Sequence, residues 1–256
     1  MNRFLSILMF VLAVHGHAQI DSVFVELYHV LPDTTGSGSA LMTYRIYVDL
    51  APGHQLEMVY GDEAHELMIR TTTDFFNSTD PAKFGSEVHG DRLDVGYNAL
   101  DTYITVGAAS DRHWGIPRNM DRDGSVLHCP PYPSHPILMH AGRPVRMEPL
   151  CVNDGLLAAD TIKDVVNFLF ASSYLSHIRG SVLHTINGAW AVLGGTRGPT
   201  DENIILLAQL TTTGVLSFRM NLQIGTPDGR SLKFVSDANV KDGEIHHPDL
   251  FHGTLY

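Results

Sequence analysis

Apolar and polar residues alternate along most of the chain, and many of them are β-branched or aromatic. In the segment 43–50, one face carries Tyr44, Ile46 and Val48, and the other carries Thr43, Arg45, Tyr47 and Asp49. Similar runs occupy 22–30, 55–60, 66–72, 102–106, 190–193, 204–211, 216–224 and 232–235. Runs of this length, bounded by Gly, Pro, Asp and Asn, are typical of strands joined by turns.

Short turns between these runs predict that most neighbouring strands are antiparallel. Ala51-Pro52-Gly53 is typical of a tight turn, and Thr213-Gly214 predicts a hairpin between 204–211 and 216–224. The fold class predicted is therefore all-β and mainly antiparallel, either a β-sandwich or jelly-roll-like.

One segment departs from this alternation. Between 161 and 170 the apolar residues have helical spacing, and they are Ile162, Val165, Val166, Leu169 and Phe170. Asp160 or Thr161 can cap the N-terminus of such a helix. The pattern predicts one short helix near 161–170, in a fold with at most two, and the alternative is an irregular crossing segment.

The segment 108–150 is rich in proline and histidine, unlike its flanks. We interpret it as a long ordered excursion within a single domain spanning 19–256. The alternative is two β halves, 19–107 and 151–256, joined by this excursion.

The N-terminus has the order of a secretory signal. Arg3 supplies positive charge, 4–14 is almost wholly apolar, and Gly16-His17-Ala18 places small residues where a signal peptidase cleaves. We therefore expect 1–18 to be a signal peptide, with a buried N-terminal helix as the alternative. No later segment is long and apolar enough to span a bilayer. The expected location is secreted or cell-surface, and the alternative is the periplasm.

The net charge of −11 limits the choice of partners. An acidic chain repels phosphate backbones and anionic membrane surfaces, which argues against nucleic acid as a partner. The partners that remain are an extracellular glycan, a surface or a protein.

Both cysteines of the chain lie near the excursion, at Cys129 and Cys151. In an oxidising compartment such a pair predicts a disulfide, which would stabilise the fold by roughly 3 kcal/mol. The alternatives are a metal site that includes the histidines His128, His135 and His140, or two free thiols.

The best local indication of a ligand site is a loop with oxygen-bearing side chains at alternate positions, and these are Asn119, Asp121, Asp123 and Ser125. Gly124 permits a sharp turn, so the loop can direct several oxygens at one calcium ion. Pro130 occupies the position where an EF-hand has its bidentate acid, which excludes that motif. The alternative is an Asp/Asn/Gly turn that holds no ion.

A second cluster lies near the C-terminus and comprises Glu244, His246, His247, Asp249 and His252. In a strand, Glu244 and His246 share a face and can chelate a transition metal. Pro248 interrupts the run, however, and terminal segments are often mobile, so a solvated tail is the preferred interpretation.

Two stretches resemble a loose group of uncharacterised secreted bacterial proteins rich in β-structure. One is Leu100-Asp101-Thr102-Tyr103-Ile104-Thr105-Val106-Gly107, preceded by similar strings at 43–49 and 70–76. The other lies within 188–224 and contains Gly198-Pro199-Thr200 followed by Leu207-Ala208-Gln209-Leu210-Thr211-Thr212-Thr213-Gly214. The resemblance implies an exported, all-β protein, and it implies no activity or site residue.

Familiar catalytic motifs are missing from the sequence, including the Gly-x-Ser-x-Gly elbow and the His-Glu-x-x-His helix. We therefore expect an exported, non-enzymatic module for binding, adhesion or structure, stabilised by calcium if the 119–125 loop holds that ion. The alternative is a secreted hydrolase of polysaccharide or protein that uses carboxylates or a metal.

Overall fold

The computed structural model describes residues 19–31, 39–122, 126–127, 138–140, 143–145, 153–168 and 177–255. Their strands are β1 (Ile20–Leu31), β2 (Leu41–Leu50), β3 (Gln55–Gly61), β4 (Leu67–Thr71), β5 (Tyr103–Ile104), β6 (His113–Gly115), β7 (Leu138–His140), β8 (Arg143–Val145), β9 (Leu156–Ala158), β10 (Val166–Phe168), β11 (Val182–Thr185), β12 (Gly188–Thr196), β13 (Ile204–Thr212), β14 (Leu216–Arg219), β15 (Asn221–Gly225), β16 (Ser231–Val235), β17 (Glu244–His246) and β18 (Phe251–Leu255). Single turns of 3-10 helix cover Gly85–Glu87, Gly90–Arg92, Asn98–Leu100, Arg118–Met120 and Pro248–Leu250.

Three larger sheets form the body of the fold. The first has the strand order β1-β2-β13-β5, the second β10-β12-β3-β15-β16-β17, and the third β11-β4-β14-β18. Two smaller sheets pair β6 with β9 and β7 with β8. Neighbouring strands are antiparallel except for β16 and β17. The prediction of an all-β, mainly antiparallel fold with sandwich-like packing is confirmed.

The main hydrophobic core lies where the three larger sheets face one another. It joins Ile46 of the first sheet, Trp190 of the second and Phe218 of the third. Full burial of each such side chain stabilises the fold by about 1.5–3 kcal/mol. The Nε1 of Trp190 donates a hydrogen bond to the carbonyl oxygen of Thr105 at 2.9 Å, so this buried polar atom has a partner.

The first sheet is buried on both faces. Tyr47 and Leu206 lie on the face opposite the main core and contact a second cluster that includes Tyr97 and Leu100. These last two residues belong to the segment 76–100, which we call the cover. The alternation in 43–50 therefore predicts the two faces correctly, but neither of them faces solvent.

A polar row crosses the covered face of the first sheet. Arg45 of β2 is opposite Gln209 of β13 and only 1% exposed. Its Nε donates to Gln209 Oε1 at 2.8 Å, and its Nη1 donates to the carbonyl oxygen of Gly155 at 2.9 Å. Gln209 Nε2 donates in turn to the carbonyl oxygens of Ala99 and Asp101 at 3.0 and 2.9 Å. Arg45 and Gln209 thus attach the sheet to the cover and to the loop before β9.

The helix predicted near 161–170 is wrong for the part that the structure describes. Residues 161–165 have no regular structure, and β10 pairs with β12. The β-branched side chains of Val165 and Val166 favour extended backbone, and Val165 packs against the main core. Residues 169–170 lie outside the described ranges.

The hairpin predicted at Thr213-Gly214 is also wrong. β13 lies in the first sheet, whereas β14 lies in the third between β4 and β18. Gly214 passes so close to Thr71 and Thr72 that an added Cβ would lie 2.7 Å from both hydroxyl oxygens. The strand predicted over 216–224 divides at Met220, and its second half, β15, enters the second sheet.

Strands from both sides of the 108–150 segment share the first sheet, since β13 lies between β2 and β5. Among the described residues, no helix has the length and apolar character needed to cross a membrane. The predicted signal peptide, 1–18, lies outside the described residues.

Candidate functional site

A tight turn between β3 and β4 forms one wall of an open pocket. Asp62 Oδ1 accepts the backbone N–H groups of Ala64 and His65, each at 2.9 Å. Asn221 of β15 holds the turn from beneath, because its Nδ2 donates to the carbonyl oxygens of Tyr60 and His65 at 3.1 and 2.9 Å. These bonds fix where the side chains of 63–66 project.

His65 is buried beside Glu244, the first residue of β17. Its Nε2 lies 2.8 Å from Glu244 Oε2, and the two side chains are 1% and 6% exposed. Burial raises the pKa of Glu244, but the N–H of Lys241 and the hydrogen bond to His65 outweigh this effect and lower it. Glu244 is therefore a carboxylate that accepts a hydrogen bond from the N–H at His65 Nε2.

The second ring nitrogen of His65 is the unusual atom of this pair. Within the described part of the chain, the buried His65 Nδ1 has no hydrogen-bond partner. Buried polar atoms in folded proteins nearly always have a partner, and an atom without one needs an explanation. His65 is one of the residues that line the pocket, but its side chain is almost wholly buried behind the pocket surface.

Glu66 is the next charged residue along the turn and is held on two sides. Arg219 of β14 donates from Nη1 to Glu66 Oε1 at 2.9 Å, and His184 of β11 lies 2.9 Å from Glu66 Oε2. These two strands flank β4 in the third sheet. The three side chains hold one another in place at the edge of the pocket.

The pocket has a volume of about 220 Å³. Its acidic lining residues are Glu63, Glu66 and Asp237. Arg219 is the single Lys or Arg among the described lining residues, and it is paired with Glu66. Ile186, 49% exposed, adds an apolar wall. The pocket is therefore rich in hydrogen-bond acceptors and carries a net negative charge.

The residues predicted to bind calcium are only partly described. Asn119 is exposed on the 3-10 turn Arg118–Met120, and Asp121 is buried. Asp121 Oδ2 accepts the backbone N–H of Gly155 at 2.9 Å. Asp123 and Ser125 lie outside the described residues, as do Cys129 and Cys151, so the calcium site and the disulfide stay predictions.

Asp154 is an unpredicted neighbour of Asp121. Its Oδ2 accepts the N–H groups of Val126 and Leu127 at 2.7 and 3.0 Å, and its Oδ1 accepts that of Leu156 at 3.1 Å. Burial, together with a hydrogen bond to the Asp121 carboxyl, raises the pKa of Asp154 against these three donors. The two acids thus connect the 119–127 loop to the loop before β9.

The interpretation of the C-terminal cluster as a solvated tail is wrong. Glu244 and His246 begin and end β17, and Leu250 is fully buried before β18. Glu244 pairs with His65 rather than with a histidine of its own cluster. Across the described ranges, His, Cys, Asp and Glu side chains form no group of three or more that could hold a metal ion.

A buried serine–histidine contact lies near β6. Ser110 Oγ is 2.7 Å from His113 Nδ1, and it also accepts the N–H of Arg112 at 3.1 Å. Ser110 is fully buried, so its hydroxyl is inaccessible to a substrate. We assign this contact to stabilisation of the 110–113 turn.

No protein-family model, curated protein or solved structure matches this chain. The resemblance drawn from the stretches around 100–107 and 188–224 therefore stays a prediction. Function is inferred from the pocket itself.

Sequence reasoning missed this pocket, although one local signal was present. The charged run 62–66 separates two correctly predicted strands, and Asp62 followed by Glu63 is typical of a turn. The partner Glu244 is 179 residues away along the chain, and nothing local connects it to His65.

Proposed function

We propose that this protein is an exported, non-enzymatic binding or adhesion module, and that the pocket beside 62–66 is its binding site. The observation that carries the proposal is the lining of the pocket by three carboxylates, of which only Glu66 has a Lys or Arg partner within 4.0 Å among the described residues. Uncompensated charge and unpaired polar atoms destabilise a fold, and functional sites are the usual place where proteins retain them.

The construction of the pocket also supports binding. Its walls come from the 62–66 turn, from Ile186 after β11, from Arg219 of β14 and from the two residues after β16. The His65–Glu244 and Glu66–Arg219 pairs hold the side chains in position. A site whose side chains are fixed by such contacts loses little conformational entropy when a ligand binds. This rigidity suits recognition of one small chemical group on a larger partner.

Calcium is a second part of the proposal. We place it at the 119–125 loop, where Asn119 and Asp121 are the described candidate ligands and Asp123 and Ser125 are the other two. Binding of calcium to the folded state would stabilise the module without entering the 62–66 pocket.

The test of the binding site is an NMR titration of the isotope-labelled protein. The probes are Nα-acetyl-lysine methylamide, sodium acetate and a methyl glycoside, each added separately up to its solubility. We expect at least one probe to shift the backbone amides of Ala64, Glu66 and Ser236 in a saturable way. The proposal fails if all three probes leave these amides unchanged.

A matched pair of variants gives the control. Glu63→Gln changes an exposed carboxylate in the pocket, and Glu202→Gln changes an exposed carboxylate before β13, outside the pocket. Glu63→Gln is expected to weaken binding and Glu202→Gln to leave it unchanged. Equal loss in both variants would show that binding depends on overall charge and not on this site.

A further inference from the structure

We infer that Asn187 is a site of spontaneous deamidation in the folded protein, converted to aspartate and isoaspartate through a cyclic imide formed with the backbone nitrogen of Gly188. Its reactivity follows from the residue that comes after it, from its exposure and from the position of Gly188 at the end of a sheet ladder. This chemistry does not depend on whether the 62–66 pocket binds a ligand.

The reaction needs an asparagine side chain that can reach the next backbone nitrogen. The nitrogen of Gly188 loses its proton and bonds to Cγ of Asn187, and the side-chain nitrogen of Asn187 leaves as ammonia. Water then opens the imide at either carbonyl carbon, which gives aspartate or isoaspartate and restores the N–H of Gly188. One water molecule is consumed and one ammonia molecule is released, so the reaction requires no oxidant, reductant or cofactor.

The residue after Asn187 is the one that hinders this attack least. Asn187-Gly188 is the single Asn-Gly pair of the chain. Glycine has no Cβ, so nothing obstructs the approach of its nitrogen to the preceding side chain. A β-branched residue in its place would restrict that approach.

Asn187 itself is accessible and its side chain is free to turn. It is exposed in the bend between β11 and β12. Its backbone N–H donates to Thr185 Oγ1 at 3.1 Å, but within the described part of the chain no hydrogen bond holds its side-chain amide. The side chain can therefore rotate towards Gly188 without the loss of a contact.

Several other asparagines are fixed by hydrogen bonds instead. In four of them the side-chain Nδ2 donates to backbone carbonyl oxygens, and these are Asn77, Asn98, Asn203 and Asn221. Rotation of such a side chain would break these bonds and leave polar groups unpaired. Asn187 lacks this protection.

Gly188 lies where the backbone opens easily. It is the first residue of β12, and it pairs with Gly61, the last residue of β3. Opening of this terminal pair leaves the rest of the ladder intact, and the ends of elements open at little cost in free energy. The nitrogen of Gly188 thus becomes available without unfolding of the protein.

Deamidation would change both charge and backbone beside the pocket. Asn187 follows Ile186, which lines the pocket, so a neutral amide there becomes a carboxylate next to an acidic lining. Isoaspartate also adds a methylene group to the backbone of the short connection between β11 and β12.

Mass spectrometry of the native protein during incubation in mildly alkaline buffer tests the inference. Trypsin releases Asn187 in the peptide 180–197 and Asn239 in the peptide 234–241, each with a single asparagine. Asn239 is the internal control, because it is also exposed but is followed by the β-branched Val240. Conversion of amide to carboxylate should be at least about tenfold faster in 180–197 than in 234–241. The product should separate by chromatography into aspartate and isoaspartate forms.

Incubation of the urea-unfolded chain shows whether the fold protects the site. We expect the native rate at Asn187 to lie within about tenfold of the unfolded rate, because only the terminal pair of the ladder has to open. In Asn187→Gln, which cannot form the same five-membered imide, the peptide 180–197 should keep its mass. Reaction at Asn187 in the unfolded chain alone, equal rates at Asn187 and Asn239, or no product at Asn187 would each overturn the inference.

Discussion

We predict that the free energy of unfolding falls as the pH rises towards neutral, because of the buried acid Asp101. This acid directly follows the cover and is 1% exposed. Its Oδ1 accepts the N–H of Ser78 at 2.7 Å, and its Oδ2 accepts that of Ala82 at 2.8 Å. Burial raises its pKa from 3.8 to about 7, because desolvation of the charged form outweighs these donors.

The sign and size of the effect follow from this pKa. The folded state binds the proton of Asp101 more tightly than the unfolded state does, so its contribution is fully present below about pH 4 and is lost as the pH rises through about 7. A shift of roughly three units corresponds to a loss of about 4 kcal/mol between pH 4 and pH 8.

The assay is urea unfolding of the wild type and of Asp101→Asn at intervals between pH 4 and pH 8. Asparagine cannot ionise, so the stability of the variant relative to the wild type should rise by about 4 kcal/mol over this range. Asp154 also has a raised pKa, but it is present in both proteins and its effect cancels in the difference. Asp91→Asn, at an exposed carboxylate within the cover, is the control and should not change the profile.

A pH-independent difference between wild type and Asp101→Asn would refute the reasoning. It would show that Asp101 is ionised in the folded protein throughout this range, held as a carboxylate by the N–H groups of Ser78 and Ala82.

Three other predictions concern separate parts of the fold. Arg45→Met removes the donors to Gln209 and Gly155, so it should lower the free energy of unfolding by about 2–4 kcal/mol. Urea titrations measure this change, and an unchanged value would contradict the role of Arg45 in holding the cover. Gly61→Ala would push a methyl group against the carbonyl oxygen of Thr185, so it should destabilise the fold by about 1–3 kcal/mol, and a melting temperature equal to wild type would contradict this. Calcium should raise the melting temperature relative to chelator, and the rise should vanish in Asp121→Ala; no shift at millimolar calcium would leave 119–125 as an ordinary turn.

Strands and their faces could be predicted from the sequence because they are encoded locally. In β2, the alternation of apolar and polar residues correctly separates Tyr44 and Ile46 from Arg45 and Tyr47. The burial of Arg45 could not be predicted in this way, because the cover that buries it comes from irregular structure far along the chain. Only the register of β2 with β13 brings Gln209 to its side.

The secondary-structure predictions are wrong where contacts between distant parts of the chain determine the backbone conformation. The apolar spacing around 161–168 fits a helix, but pairing of β10 with β12 favours extended backbone there. Thr213-Gly214 is a genuine change of direction, yet it carries the chain from one sheet to another instead of forming a hairpin. From sequence alone the C-terminal cluster resembles a solvated tail. In the structure, β17 pairs with β16 and Glu244 forms a hydrogen bond with His65.

The central claim, that the pocket beside 62–66 binds a ligand, is tested most directly by the NMR titration with the three probes. We expect at least one probe to shift the backbone amides of Ala64, Glu66 and Ser236 in a saturable way, and we expect Glu63→Gln to weaken that binding while Glu202→Gln leaves it unchanged. Shifts confined to amides elsewhere on the protein would contradict the claim.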